Sequence, residues 1–179
     1  GAYGHKLLSV LPHLRYTGCD GAGDVEEVTA GFVRFCDLSL PLSLPRSDWV
    51  LSLEVGEHVP SESEMMVVRN LHAHNCVGIV VSWASLGWSG PGHKNNHGEP
   101  YIVQTFEGLG YLLEPNLTQA MRVGFDGSLN RSASNAIPQL RRTRWAGSLP
   151  PYRRWIFRWF ARSVYVFVRN DPLHNCAKS

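Results

Sequence analysis

Asp48-Trp49-Val50-Leu51-Ser52-Leu53-Glu54-Val55-Gly56-Glu57-His58-Val59-Pro60 is the stretch whose reading decides the fold. From Asp48 to Val55 it is nearly continuously apolar, which is the pattern of a strand covered on both faces, as in parallel sheets. The strand runs out into Glu54-Val55-Gly56-Glu57-His58 and is stopped at Pro60. Directly after it, Ser61-Glu62-Ser63-Glu64 has the S-x-x-E spacing of a capping box and opens a helix. That helix is expected to turn Met65, Val68, Leu71 and either His72 or Cys76 inward. Val77 to Trp83 then reads as a second buried strand, followed by a glycine-rich loop from Gly87 to Gly98. Strand, helix and strand in this order make a parallel unit.

Working outward, the same alternation holds on both sides. Leu7, Leu8, Val10 and Leu11 predict a short helix stopped at Pro12, and Leu14 to Cys19 a brief strand. Asp20-Gly21-Ala22-Gly23 is turn-rich, and Gly31 to Cys36 is a further strand ending at Asp37. Downstream, a helix is expected over Tyr101 to Leu109 with Gly110 in the C-terminal glycine position. Tyr111-Leu112-Leu113 is a short strand, Leu117 to Arg122 a short helix, and Ser163 to Arg169 a last strand that joins antiparallel. The predicted class is therefore α/β, a Rossmann-like and mainly parallel sheet with an antiparallel C-terminal strand.

Residues 123–158 fit this alternation poorly. From Gly127 to Asn170 there is no Asp or Glu, while nine arginines occur (Arg131, Arg141, Arg142, Arg144, Arg153, Arg154, Arg158, Arg162 and Arg169). A segment of this length without periodicity is unusual inside a compact domain. The expected organisation is an α/β domain over residues 1–122 and 159–170, an Arg-rich irregular insertion at 123–158, and a tail at 171–179.

Composition narrows the classes. A chain of 179 residues that is 44% hydrophobic and 18% charged has enough apolar surface for one domain with a real core, which excludes disorder, collagen and a coiled coil. No run reaches the length of a membrane-spanning helix. A net charge of +2 names no partner by itself. The four cysteines, Cys19, Cys36, Cys76 and Cys176, form no C-x-x-C pair and are expected to be free buried thiols. The eight histidines form no H-E-x-x-H motif, and no metal is expected. No signal-peptide pattern is visible, and targeting information ahead of Gly1 would be missing, so the location is unknown, with the cytoplasm favoured by the free-thiol reading.

In open α/β sheets ligands bind beyond the carboxyl ends of the strands, so the residues there carry the functional reading. Gly1-Ala2-Tyr3-Gly4 precedes a helix, and its backbone N–H groups are placed to cradle an anionic or polar ligand. Asp20 ends one strand and suits two ribose hydroxyls, because an ionised Asp only accepts. Asp37 ends the next and is placed to accept from an adenine amino group. Glu54-Val55-Gly56-Glu57-His58 and Trp83-Ala84-Ser85 end the two after that. The plainer alternative for Asp20 and Asp37 is a turn cap, and for Glu57 and His58 a solvated loop pair.

The ordered series resembles the class I S-adenosylmethionine-dependent methyltransferases over roughly residues 1–122 and 159–169. Gly1-Ala2-Tyr3-Gly4 is similar to the tail of that family's Gly-rich first motif. Asp48 to Pro60 is similar to the fourth motif, whose strand end lies beside the transferable methyl. Gly78 to Ala84 followed by Gly92-His93 is similar to the fifth. The resemblance implies S-adenosyl-L-methionine as cofactor, held by Gly1, Ala2, Tyr3, Asp20, Asp37, Leu38, Glu54 and Val55. It also implies that the family's first strand lies before Gly1 and is missing from this chain, which is then a fragment or a degenerate copy that binds cofactor poorly.

Methyl transfer from a sulfonium needs alignment above all. A base helps when the acceptor is a protonated amine or a hydroxyl, and His58, Glu57 and His93 are the catalytic candidates for it. The expected function is methyl transfer to a small or medium-sized acceptor. Two other readings stand beside it: a catalytically dead methyltransferase-fold binding module, and an RNA- or DNA-directed enzyme using Arg141 to Arg162, where Trp145, Trp155 and Trp159 would stack on bases.

Overall fold

A computed structural model describes residues 1–126, 162–171 and 176. The expected Arg-rich insertion, including the nucleic-acid candidates from Arg141 to Arg158, lies almost wholly outside the described residues. Helix α1 (Ala2–Val10) leads to strand β1 (Gly18–Asp20), a single helical turn α2 (Val25–Val28) and strand β2 (Val33–Phe35). Strand β3 (Ser47–Ser52), helix α3 (Glu64–Ala73) and strand β4 (Asn75–Ser82) follow. After them come α4 (Glu99–Glu107), β5 (Tyr111–Leu113), α5 (Pro115–Asp126) and β6 (Val164–Arg169).

The chain is α/β. In the four-stranded sheet, of order β3-β4-β6-β5, β3 pairs parallel with β4, and β6 is antiparallel to both of its neighbours. Strands β3, β4 and β5 thus run one way and only the C-terminal strand is reversed, as the sequence predicts. Strands β1 and β2 form a separate parallel pair, with Gly18 opposite Val33 and Asp20 opposite Phe35.

The reason β4 and β6 lie in the middle is written in their side chains. Ile79 and Val81 of β4 are buried, and Val164 to Phe167 of β6 are buried at four successive positions, which covers both faces. Leu71 and Val68 of α3 and Ile102 and Phe106 of α4 close the core from the helical side, each pair at a spacing that shares one helix face. Phe106 stacks on Phe167 with ring centroids 4.9 Å apart. Around Gly4 a smaller apolar group forms from Tyr16 and Phe32, whose rings stack at 5.0 Å.

Four expectations need correction. Strand β3 is not covered on both faces: Trp49 and Leu51, two apart and so on one face, are exposed, while Val50 and Ser52 on the other are half-buried and buried. The capping box is not made. Ser63 caps α3 without a side-chain bond, Met65 is exposed, and Glu64 is buried and bonded elsewhere. Ala2, Tyr3 and Gly4 are the first turn of α1 rather than a loop before it. The cysteines are paired: Cys19 with Cys36 and Cys76 with Cys176, each with Cα atoms 5.6 Å apart, inside disulfide range. Separations of 17 and 100 residues hid both pairs, which adjacency of folded segments creates.

Two polar side chains tie the layers together. Asn70 of α3 accepts from the Leu42 N–H and donates to the carbonyls of Leu38 and Leu40, fixing the connection between the two sheets. Arg169 of β6 donates to the carbonyls of His72 and Asn75 at 3.0 and 2.9 Å, satisfying the turn that enters β4.

Gly78 shows how tightly β4 is held. A Cβ there would overlap the Phe167 carbonyl oxygen and come 2.5 Å from the Trp49 ring. Gly78→Ala is therefore expected to lower stability by about 1–3 kcal/mol, the usual cost of overpacking. Gly23→Ala, with no atom within 4 Å of its new methyl, should stay within about 0.5 kcal/mol of the parent in the same denaturant titration. Equal losses for the two variants would contradict this packing.

Candidate functional site

Strands β3 and β4 are parallel neighbours, with Ser52 opposite Val81, so their carboxyl ends open onto the same edge. The chain leaves β3 through Glu54, which adopts φ +52°, a left-handed conformation uncommon outside glycine. Ser82 at the end of β4 holds it there. The Glu54 N–H donates to the Ser82 hydroxyl at 2.8 Å, and that hydroxyl donates back to the Glu54 carboxylate at 2.7 Å. A short 3-10 turn, Gly56–His58, follows. Gly56 is required by close approach, because a Cβ there would overlap the Trp83 ring.

The loop after β4 folds back onto this turn. The Lys94 and Asn95 N–H groups donate to the main-chain oxygen of Glu57 at 2.7 and 3.1 Å. The indole N–H of buried Trp83 donates to the Asn95 carbonyl at 2.6 Å. These bonds bring His93 to His58, with ring centroids 5.0 Å apart and planes perpendicular. Glu57 lies beneath them, wholly buried. Each of the three offers a ligand-type atom, and these atoms lie within 4.8 Å of one another. The three residues expected from sequence as catalytic candidates are thus one cluster at the shared strand ends.

Electrostatics there are unusual. Neither Glu57 carboxylate oxygen has a hydrogen-bond partner. Burial pushes its pKa up to about 8; the Glu57 and Ala84 N–H groups pull against this, while the nearby Glu54 carboxylate adds to it. His93 Nδ1 lies 3.2 Å from the Trp88 carbonyl oxygen, which can only accept. Nδ1 therefore carries the proton in the neutral ring, and the lone pair sits on Nε2.

A second polar group supports the loop, and sequence reading missed it. The buried carboxylate of Glu64 accepts from Asn95 at 2.5 Å, from Tyr101, and bonds His97 at 2.7 Å. His97 also stacks on Tyr101 at 3.8 Å. His93 and His97 stand four apart, a spacing that would pair imidazoles on a helix. On this loop they separate, one toward the cluster and the other toward Glu64. A Glu at the fourth position of an apparent capping box that is followed by apolar positions gave no signal of this role.

The remaining candidates behave differently. Asp20 accepts the Ala22 N–H at 2.9 Å and Asp37 accepts from the Ser39 N–H and hydroxyl at 2.9 and 2.6 Å. Both carboxylates cap turns, as the plainer alternative holds, and both stay exposed with lone pairs to spare. They are neighbours all the same: the Cys36 N–H donates to the Asp20 carbonyl, and the Cys19–Cys36 disulfide joins the residues just before them. The bond from Ser39 holds the Asp37 carboxyl below its ordinary range. Gly1 caps α1, and the N–H groups of Ala2, Tyr3 and Gly4 belong to its first turn, where no intrahelical carbonyl is available to them. Leu38 is part-buried beside Asp37, and Val55 is the residue from which the 56–58 turn begins.

No family model matches the chain, and no curated protein matches it. Among solved structures, one similar chain is magnesium protoporphyrin IX methyltransferase from Synechocystis PCC 6803 with bound SAH, at 19% sequence identity and a TM-score of 0.39. The match covers 51% of this chain and 48% of that one, so the chain spans about half the length of its neighbour. At that score the likeness assigns no residue a role.

Glu64 gives a pH test. Burial alone would raise its pKa, but the bonds from Tyr101, Asn95 and His97 outweigh burial and hold it below the ordinary carboxylate value. The folded state then binds fewer protons than the unfolded one in that window, so the contribution is present above the ordinary value and is lost as pH falls through the folded one. Glu64→Gln should cost about 1–3 kcal/mol near neutrality. The gap from wild type should narrow in denaturant titrations below the ordinary carboxylate pKa. A gap that widens in acid would contradict the assignment.

Proposed function

We propose that this domain transfers a methyl group from S-adenosyl-L-methionine to a small or medium-sized acceptor bearing an ionisable group. The observation that carries this reading is the convergence of Glu57, His58 and His93 at the shared carboxyl ends of two parallel strands. The ordered resemblance of the surrounding segments supplies the cofactor class.

The residues fit such a group in kind. Asp20 is an exposed carboxylate at a strand end with acceptor capacity beyond its bond to Ala22, which suits a pair of ribose hydroxyls. Asp37 and Leu38 would flank the base, and the first-turn N–H groups of α1 would face the carboxylate end. Glu54 and Val55 would line the floor between them. The cofactor brings a methyl already activated by its sulfonium. The protein's part is then to hold the acceptor, to exclude water and to take up a proton, and the cluster at 57, 58 and 93 handles that proton on the acceptor side.

Titration calorimetry of the full chain with S-adenosylhomocysteine tests the cofactor half of this reading. Saturable binding is expected. Asp20→Ala should weaken it about tenfold or more, the worth of a hydrogen bond to a charged group. His58→Ala should leave the affinity near wild type, since it stands on the acceptor side. Absence of any binding by the wild-type chain, with its fold intact by circular dichroism, would overturn the proposal.

A further inference from the structure

We propose that Glu57, His58 and His93 form a binding site for a divalent first-row transition metal ion of the zinc type. The donor set is one carboxylate and two imidazoles, a combination that suits such ions and leaves coordination positions open. The three ligand-type atoms lie within 4.8 Å of one another. An ion bound at about 2.0–2.2 Å would bring its ligands to roughly 3–3.5 Å apart, so a closure of at most about 1.5–2 Å by side-chain rotation completes the site.

A second observation, independent of the spacing, points to a cation. Glu57 is wholly buried and both its carboxylate oxygens lack a hydrogen-bond partner. Such a group costs stability unless a charge or donors compensate it, and buried carboxylates are paired or hold metals. The surroundings are also those of a metal ligand set. His93 is oriented by the Trp88 carbonyl through Nδ1, the kind of outer contact that fixes a ligating imidazole. The main chain of Glu57 is anchored by Lys94 and Asn95, so all three ligands belong to two segments bonded to each other.

One consequence rests on the methyl-transfer reading and changes one part of it: the ion, rather than a free imidazole, would ease the loss of the acceptor's proton. With an ion in place the imidazoles are ligands, not free bases, and the open positions would take an acceptor hydroxyl. The hydroxyl proton would leave to solvent on the exposed His58 side as the new O–CH₃ bond forms and the S–CH₃ bond breaks, releasing S-adenosylhomocysteine. The acceptor class is then a hydroxyl compound.

The test is metal binding by the full chain in the absence of any nucleoside. Equilibrium dialysis against Zn²⁺ and visible absorption with Co²⁺ as the probe should both give one ion per chain. His58→Ala, His93→Ala and Glu57→Gln should each weaken that binding at least tenfold. His13→Ala, an exposed histidine elsewhere, should leave it unchanged. Circular dichroism of each variant checks folding, and if one fails to fold the other two carry the comparison. Absence of saturable binding by the wild-type chain, or equal binding by all variants, would overturn the site. Because the calorimetric titration with S-adenosylhomocysteine can be run in excess chelator, failure of the ion and failure of the cofactor reading are told apart.

Discussion

The main-chain oxygen of Glu57 is the point on which the site depends. It accepts from both Lys94 and Asn95, and so joins the turn after β3 to the loop after β4. Neither segment belongs to the sheet ladders. The two bonds, backed by the buried Trp83 ring against Gly56 and its indole N–H on the Asn95 carbonyl, give both segments a defined place. Only then do the side chains of residues 57, 58 and 93 meet. Backbone–backbone bonds are a robust way to do this, because they leave the side chains available for chemistry.

The same device carries a cost. Glu54 is held in a left-handed conformation, of order 1–3 kcal/mol in a non-glycine residue, and Ser82 offsets it with a reciprocal pair of bonds. Glu57 is buried without hydrogen bonds to its carboxylate. Strained backbone and a wholly buried acid, three residues apart, sit beside one strand end. The β4–β6 core is built of branched and aromatic side chains, and the other non-glycine residue at positive φ among the described ones, Ala30, lies in the turn before β2. Local departures of this kind concentrate where a protein does its chemistry.

Much of the fold was legible in the sequence because periodicity and punctuation agree along it. Tyr111 to Leu113 and the last antiparallel strand are legible nearly to their ends. The helices after Pro60 and before Gly110 exist, but α3 begins at Glu64 after a 3-10 turn and α4 runs Glu99–Glu107 with Gly108, not Gly110, at its C-cap. What failed were the statements that depend on partners in space. The apolar run at Asp48 to Val55 does not reveal that Trp49 and Leu51 face solvent. A Ser and a Glu three apart do not reveal that the Glu turns inward to Asn95, His97 and Tyr101. Cysteines 17 and 100 residues apart do not announce their pairing. Arg169, counted with the nine arginines between Gly127 and Asn170, is committed to the carbonyls of His72 and Asn75. At the site, Glu57, His58 and His93 were visible as candidates one at a time, through strand-end position. Their convergence was not, since 35 residues separate His58 from His93 and only the folded loop joins them.

Amide hydrogen exchange at Lys94 and Asn95 in the full chain probes this joint most directly. Both N–H groups lie in a loop, where exchange is ordinarily fast, yet both donate to the one Glu57 carbonyl. The expected result is protection of both, comparable to that of the β4 amides beneath them and lost together as denaturant opens the domain. Exchange at the rate of unstructured chain at both positions, with β4 still protected, would mean that the loop does not dock on the Glu57 turn, and the cluster would have no basis.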